Sequence, residues 1–215
     1  FAFLKYIEIF QLKSEQKNFL FLMLTFYFAA PFALTRPMFE SVAAPWLTLA
    51  AVFSLAYDVS AKLKDLLWGV FFVSVSFVLR QQLGFCALVF IILPTLKKRW
   101  AHLCWAGALG LSFFVLAGIP DYFIRGKFHF SLLNLTIYNF EHGSDYGDRT
   151  VLFYPTLIFI IILAPFFIKK YPPGFFKEQL GRHKSLLLIV LLFVFLHSLF
   201  PQKWERFIIL LIPVL

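Results

Sequence analysis

The feature that most constrains the fold of this chain is a series of long apolar runs separated by short polar segments. An apolar helix of about 20 residues crosses the hydrocarbon of a bilayer, and these runs approach that length: 18–35, 41–57, 100–119, 151–168 and 185–201. Hydrophobic residues make up 61% of the chain and charged residues 14%, whereas soluble domains are about 45–50% apolar and about 25% charged. A soluble core of this size could not bury so many apolar side chains. The sequence therefore predicts an all-α, polytopic transmembrane helical bundle.

Two further runs, 66–79 and 83–96, are shorter and are separated only by Arg80-Gln81-Gln82. Fourteen helical residues rise about 21 Å, less than the hydrocarbon thickness of about 30 Å. The pair predicts a helical hairpin that does not fully cross the membrane, or one whose polar tip enters a water-filled cavity. The last run, 207–215, predicts the start of another helix, so we expect residues 1–215 to form a single transmembrane domain.

The two ends of the chain both lie inside apolar stretches. The first residue is not Met, and the chain stops at Leu215 in the middle of an apolar run. The first twelve residues lack the charged segment and cleavage site of a signal peptide. We therefore expect this chain to be part of a longer protein.

The charged residues indicate an orientation in the membrane. If the runs alternate in direction, one face collects twelve Lys and Arg against four Asp and Glu, from the segments 13–17, 58–65, 97–99 and 169–184. The opposite face collects seven basic and six acidic residues. Because basic residues concentrate on the cytoplasmic side, we expect the first face to be cytoplasmic. The net charge of +9 thus indicates membrane orientation rather than binding to nucleic acid.

The longest polar connection, the outer loop 120–150, lies on the other face. Its apolar residues Phe130, Leu133, Ile137 and Phe140 have helical spacing, which predicts an amphipathic helix over 128–141 on the membrane surface. A connection of this length needs structure of its own. The alternative interpretation is a capping loop that only shields the bundle.

A second outer cluster runs from His197 to Phe207. Lys203 and Arg206 could hold a phosphate, the first as a point charge and the second as a bidentate fork, with Glu205 orienting one of them. The alternative is an interfacial anchor whose Lys and Arg extend to the headgroups.

Other charged residues also lie on this outer face. Arg36 and Glu40 stand four apart at the predicted start of a helix, where a capping role explains the glutamate equally well. Arg80 follows a short apolar run, and its side chain could reach a lipid phosphate or a carboxylate.

Three stretches carry a resemblance to a known family: Arg36–Leu47 (RPMFESVAAPWL), Asp121–Gly147 and His197–Phe207 (HSLFPQKWERF). The chain resembles the GT-C-fold enzymes of glycosyltransferase family 22, specifically the dolichyl-phosphate-mannose-dependent mannosyltransferases related to the third mannosyltransferase of GPI-anchor synthesis. The last stretch is the most specific. It departs from the family pattern at Gln202, usually His, and at Trp204, usually Glu.

The resemblance implies a membrane glycosyltransferase that moves a sugar, mannose in the family, from a polyprenyl- or dolichyl-phosphate donor to a lipid-linked or glycan acceptor on the lumenal or periplasmic side. It implies a donor phosphate bound by Lys203, Arg206 and Arg80. It further implies supporting residues Glu205, His197, Gln202, Asp121, Tyr146, Arg36 and Glu40. The family's catalytic acidic pair would lie upstream of residue 1, so this fragment alone is expected to be inactive.

The expected partners are membrane lipids, the lipid-phosphate sugar donor and a glycolipid or glycan acceptor, in a bacterial inner membrane or the endoplasmic reticulum. The sequence contains no nucleotide-binding glycine loop, and no cofactor or divalent metal is indicated. Two alternatives stay open: a transporter or flippase for a lipid-linked substrate, and a noncatalytic relative of the family. Paired broken helices near mid-membrane would favour the transporter.

Overall fold

The structure is a computed structural model, and it describes residues 1–26, 39–142, 150, 152–158, 178 and 181–198. This part of the chain is helical and contains no β-strand. The helices are α1 (Ala2–Phe10), α2 (Ser14–Phe26), α3 (Phe39–Ser60), α4 (Leu63–Leu79), a 3-10 helix (Gln81–Leu88), α5 (Val89–Leu96), α6 (Trp100–Arg125), α7 (Phe130–Glu141), α8 (Phe153–Ile158) and α9 (Lys184–Ser198). An all-helical fold satisfies the backbone polar groups within each segment, as a lipid environment requires.

Helices α3 and α6 are long and apolar enough to cross a membrane, over Ser41–Ser60 and Trp100–Arg125, and Gln81–Leu96 and Lys184–Ser198 are shorter apolar helices. Only 11% of the most apolar window of α6 is buried within the described protein. Water would solvate such an exposed apolar surface poorly, whereas lipid chains solvate it well. The fold is that of an all-α membrane protein.

The helices follow the predicted apolar runs closely but end at different residues. Helix α6 does not stop at residue 119, where the outer loop was predicted to begin, but continues through Pro120 to Arg125. Gly126 ends the helix because it adopts φ 69°, and its N–H donates to the Tyr122 carbonyl. The later parts of the predicted runs 18–35 and 151–168, and all of 207–215, lie outside the described residues.

The second arm of the predicted hairpin differs from the expected α-helix. Residues Gln81–Leu88 form a 3-10 helix, and only Val89–Leu96 is α-helical. A 3-10 helix rises about 2.0 Å per residue against about 1.5 Å in an α-helix, so this arm spans roughly 28 Å. The first arm, α4, has 17 residues and spans roughly 26 Å. Both arms are therefore longer than the sequence estimate of about 21 Å and approach the thickness of the hydrocarbon.

The core of the described bundle is formed by α3, α4 and the hairpin's second arm, with α9 packed against them. Helix α3 presents small, fully buried residues such as Ala43, Ala44 and Ala50, which let neighbouring helices approach closely. The hairpin arms are also in tight contact: a Cβ added to Gly69 of α4 would lie 2.1 Å from Cε1 of Phe90 in α5. Small residues therefore set the spacing between these helices.

One end of the bundle is held together by Asp58, near the end of α3. Its carboxylate, on a side chain only 7% exposed, lies 3.4 Å from Nζ of Lys97 and 3.4 Å from Nζ of Lys184. Lys97 also donates to the Asp58 carbonyl at 2.8 Å. These lysines follow α5 and begin α9, so this cluster, which we call the Asp58 end, joins three helices.

Candidate functional site

Arg80 lies at the end of the bundle opposite Asp58. Helix α4 runs away from the Asp58 end, since it begins just after α3 ends, and Arg80 directly follows its last residue. Arg80 has an extended backbone with φ −145° and ψ 99°, and its N–H donates to the Ser76 carbonyl at 2.8 Å. Its carbonyl accepts from the N–H of Leu83 at 2.9 Å. This single extended residue therefore turns the chain from α4 into the 3-10 helix.

The carboxyl-terminal end of α9 brings His197 to the same place. The imidazole is 5% exposed and stacks on Phe193 with 3.9 Å between ring centroids. Its Nδ1 lies 2.9 Å from the Phe193 carbonyl, and Tyr154 of α8 contacts the ring edge-on at 6.4 Å. The positive charge of Arg80 acts on His197 electrostatically. Two of the predicted site residues, 117 positions apart in sequence, therefore lie at the same end of the bundle, within range of an electrostatic interaction.

Buried polar atoms are concentrated around this pair. Among the described residues, the side-chain oxygens of Gln81, Gln82 and Ser198 are buried and have no hydrogen-bond partner. Gln81 and Gln82 begin the 3-10 helix, and Ser198 is the last residue of α9. A buried polar group without a partner is costly, so such groups are rare in proteins. We call Arg80, Gln81, Gln82, His197 and Ser198 the hairpin-tip cluster.

Asp121 lies at the same end but has a local structural partner. Helix α6 runs parallel to α4, as the ring pairs Phe71–Phe113 and Phe77–Phe114 indicate, so its last turns extend past the level of Arg80. The Asp121 carboxylate accepts from the backbone N–H of Ser131 at 2.7 Å and from its hydroxyl at 2.6 Å. It therefore caps the first turn of α7.

The turn between α6 and α7 is closely packed on α6. His129 adopts φ 53° and stacks on Phe114 with 4.0 Å between ring centroids. A Cβ added to Gly118 would lie 2.5 Å from Phe128, so only glycine leaves room for the turn. The sequence predicted an amphipathic helix at 128–141, and α7 covers most of that range with Leu133 and Ile137 exposed.

Of the remaining predicted site residues, the structure describes only the backbone position of Glu40. Glu40 is the second residue of α3 and thus occupies the predicted helix start. Others lie outside the described residues, namely Arg36, Tyr146, Gln202, Lys203, Glu205 and Arg206. The structure therefore brings Arg80 and His197 together, places Asp121 at the same end, and describes nothing of the predicted phosphate ligands Lys203 and Arg206.

The described residues line a cavity elsewhere. A groove of about 540 Å³ lies between α4 and α6, lined by Leu63, Lys64, Leu67, Trp68, Phe71 and Leu109. Its apolar walls belong to the half of α4 that is nearer the Asp58 end, away from the hairpin-tip cluster. Within the described segments there is no group of three or more His, Cys, Asp or Glu side chains that could hold a metal ion.

The sequence missed three residues that organise this end. Ser131 and Tyr154 were not singled out, and Ser198 was noted only within the polar cluster 197–206. Ser131 follows the amino-terminal boundary of a predicted amphipathic helix, which is where a capping partner is expected. Tyr154 carries no such signal, because its contact with His197 depends on how α8 packs against α9.

The helical fold and the apolar helices of membrane-spanning length define an all-α membrane protein, and the hairpin-tip cluster lies at one end of its described bundle. The entire chain, residues 1–215, matches the model of the Alg9-like mannosyltransferase family, glycosyltransferase family 22. The chain therefore belongs to that family, as the three sequence stretches indicated, and it has a glycosyltransferase role that acts on sugar donor and acceptor substrates. No curated protein and no solved structure matches the chain significantly.

Proposed function

We propose that this chain is part of an enzyme that transfers mannose from a polyprenyl- or dolichyl-phosphate donor to a lipid-linked or glycan acceptor, on the membrane face opposite the lysines. The family membership supports mannose transfer. The observation that carries the proposal is the placement of Arg80 and His197 at the same end of the bundle, opposite Asp58. The donor would reach this end laterally from the bilayer, and the membrane would be a bacterial inner membrane or the endoplasmic reticulum.

Arg80 is suited to the leaving phosphate. Its guanidinium stays charged at any physiological pH and offers donors in a fork that matches phosphate oxygens. As sugar leaves phosphate, negative charge grows on the phosphate, and a fixed cation nearby lowers the energy of that transition state. His197 lies at the same end of the bundle as Arg80, and it begins the family motif that runs to Phe207. We propose that Lys203 and Arg206 join Arg80 at the same phosphate.

The remaining chemistry would be general-base catalysis. A carboxylate positioned near the acceptor hydroxyl would remove its proton as the sugar transfers with inversion. The resemblance places that carboxylate upstream of residue 1, and Asp121 is a poor substitute because Ser131 bonds both of its oxygens. The chain described here would thus supply the donor-phosphate half of the site.

The test is mannose transfer by the full-length protein in membranes, with radiolabelled polyprenyl-phosphate mannose as donor. Arg80→Gln, Lys203→Ala and Arg206→Ala should each lower the transfer rate about 10- to 100-fold, which corresponds to loss of one charged hydrogen bond of about 1.5–3 kcal/mol. Arg99→Gln is the matched control, because Arg99 is an exposed arginine that directly precedes α6 at the Asp58 end. Its rate should stay close to that of the wild type.

Two results would contradict the proposal in different ways. Wild-type transfer by Arg80→Gln at normal expression would remove Arg80 from the phosphate site while leaving the reaction intact. Absence of transfer by the wild-type protein, with movement of the lipid-linked sugar across the membrane instead, would support a transporter. Absence of both activities would support a noncatalytic relative.

A further inference from the structure

We propose that Gln81, Gln82 and Ser198 bind the hydroxyl groups of the donor's sugar, beside the phosphate that Arg80 binds; this inference rests on the proposed function. Amide and hydroxyl side chains both donate and accept hydrogen bonds, as sugar hydroxyls do. The proposal divides the hairpin-tip cluster into a charged part for the phosphate and a neutral part for the sugar ring.

The first argument is the concentration of polar atoms that lack partners. Within the described segments, the buried side-chain atoms in this condition include Gln81 Oε1, Gln82 Oε1 and Ser198 Oγ, all at the hairpin tip. Ser198 is 5% exposed. Each such group costs about 1–3 kcal/mol unless something satisfies it. A ligand rich in hydroxyl groups would satisfy all three and recover that cost on binding.

The second argument is position. The two glutamines follow Arg80 directly in sequence, and Ser198 follows His197, on which the charge of Arg80 acts. In a glycosyl phosphate, a single bridging oxygen separates the sugar from phosphorus. A group that recognises the sugar must therefore lie near the group that holds the phosphate; the glutamines adjoin Arg80 in sequence, and Ser198 lies at the same end of the bundle.

The third argument is the local backbone. The glutamines begin an eight-residue 3-10 helix, longer than the usual run of about 3–4 residues. Successive residues of a 3-10 helix point about 120° apart. The two amides therefore leave the backbone in different directions and would contact different faces of a ligand at the tip. We expect their contributions to be separable.

The experiment measures dissociation constants of the purified full-length protein for two probes, polyprenyl phosphate and polyprenyl-phosphate mannose. The wild-type protein should bind the mannose-bearing lipid more tightly. Gln81→Met, Gln82→Met and Ser198→Ala nearly preserve the size of the side chain and remove its hydrogen bonding. Each substitution should weaken binding of the mannosyl lipid roughly 3- to 10-fold. Binding of polyprenyl phosphate should not change. Arg80→Gln should weaken binding of both lipids.

The chain contains a matched control for Ser198 in Ser185. Both serines lie on α9, both are buried, and both have a side-chain oxygen without a partner among the described residues, but Ser185 is near the Asp58 end. Ser185→Ala should leave both dissociation constants unchanged. The melting temperature of the ligand-free protein should not fall in any of the Met or Ala variants, because the oxygens they remove have no partner among the described residues.

The inference is overturned if all three substitutions leave the preference for the mannosyl lipid intact, or if they weaken both lipids equally. It is also overturned if the variants melt at lower temperature and bind normally, which would assign these groups to buried water. Failure of the proposed function gives a different result: the wild-type protein would bind neither lipid and transfer no mannose.

Discussion

Replacing Gly69 by alanine is expected to destabilise the hairpin, because Phe90 occupies the space that a side chain would need. The added Cβ would lie 2.1 Å from Cε1 and 2.7 Å from Cζ of the Phe90 ring, whereas ordinary contact begins at 3.4 Å. The ring would have to move by roughly 1.3 Å, a shift that dense helix packing resists. Phe90 is only 2% exposed, so it has no free space to enter.

The magnitude follows from two opposing effects. Overpacking a core typically costs about 1–3 kcal/mol, and alanine gains up to about 1 kcal/mol over glycine in helix propensity. A net loss of about 1–2 kcal/mol is expected, measured as a lower thermal unfolding midpoint of the detergent-solubilised full-length protein. Gly107→Ala is the matched control, since a Cβ there meets no atom within 4 Å. That variant should be at least as stable as the wild type.

A compensating substitution separates this steric explanation from a general effect of alanine. Phe90→Leu shortens the side chain that meets the new Cβ. The double variant Gly69→Ala/Phe90→Leu should therefore lose less unfolding free energy than the two single variants lose in sum. Coupling of about 0.5–3 kcal/mol is usual for residues in contact. If Gly69→Ala melts at or above the wild-type temperature, as Gly107→Ala should, the close approach of α4 and α5 is wrong.

Two further predictions concern the bundle ends. Asp58→Asn should lower the free energy of unfolding by about 1–2 kcal/mol. The loss is smaller than for a fully buried ion pair, because the Lys184 side chain is 62% exposed. Thermal unfolding measures the change, and Glu8→Gln, at an exposed residue, is the near-neutral control. Asp121→Asn removes the charged cap of α7 and should loosen the first turn of that helix. Faster hydrogen exchange at the Ser131 amide would show this, whereas unchanged exchange would contradict the capping role.

The helices of the described bundle could be predicted from the sequence, because backbone polar groups in lipid must be hydrogen-bonded within their own segment. Runs such as 41–57 and 100–119 must be helical to satisfy their backbone, so α3 and α6 could be located from apolar length alone. Their ends were harder to locate. The outer loop was predicted to begin at residue 120, yet α6 continues through Pro120 and ends at Gly126, although a proline inside a helix removes one backbone hydrogen bond.

The 3-10 helix at Gln81–Leu88 could not be predicted from its residues. Its composition is as apolar as that of an α-helix, and the choice between the two forms depends on packing, including the contact of Gly84 with Phe77. The extra rise per residue and the two additional residues at its start lengthen the second arm, whereas the first arm is longer because α4 has 17 residues. The spacing of apolar residues in the sequence does not distinguish a 3-10 helix from an α-helix in this segment.

The candidate site was predictable in its residues but not in its pairings. Arg80 stood out because it interrupts apolar runs, and His197 because it begins a family motif. Their proximity depends on the packing of α9 against the 3-10 helix, which no local pattern encodes. The same reason hid the contacts of Asp58 with Lys97 and Lys184, residues that lie 39 and 126 positions away.

The central claim is that Arg80 and the motif after His197 hold one donor phosphate. A double-mutant cycle in the mannose-transfer assay tests this claim most directly. If Arg80 and Arg206 bind the same phosphate, the variant carrying Arg80→Gln and Arg206→Ala should lose much less activity than the product of the two single losses. An effect equal to that product would place the two arginines at independent sites and contradict the account.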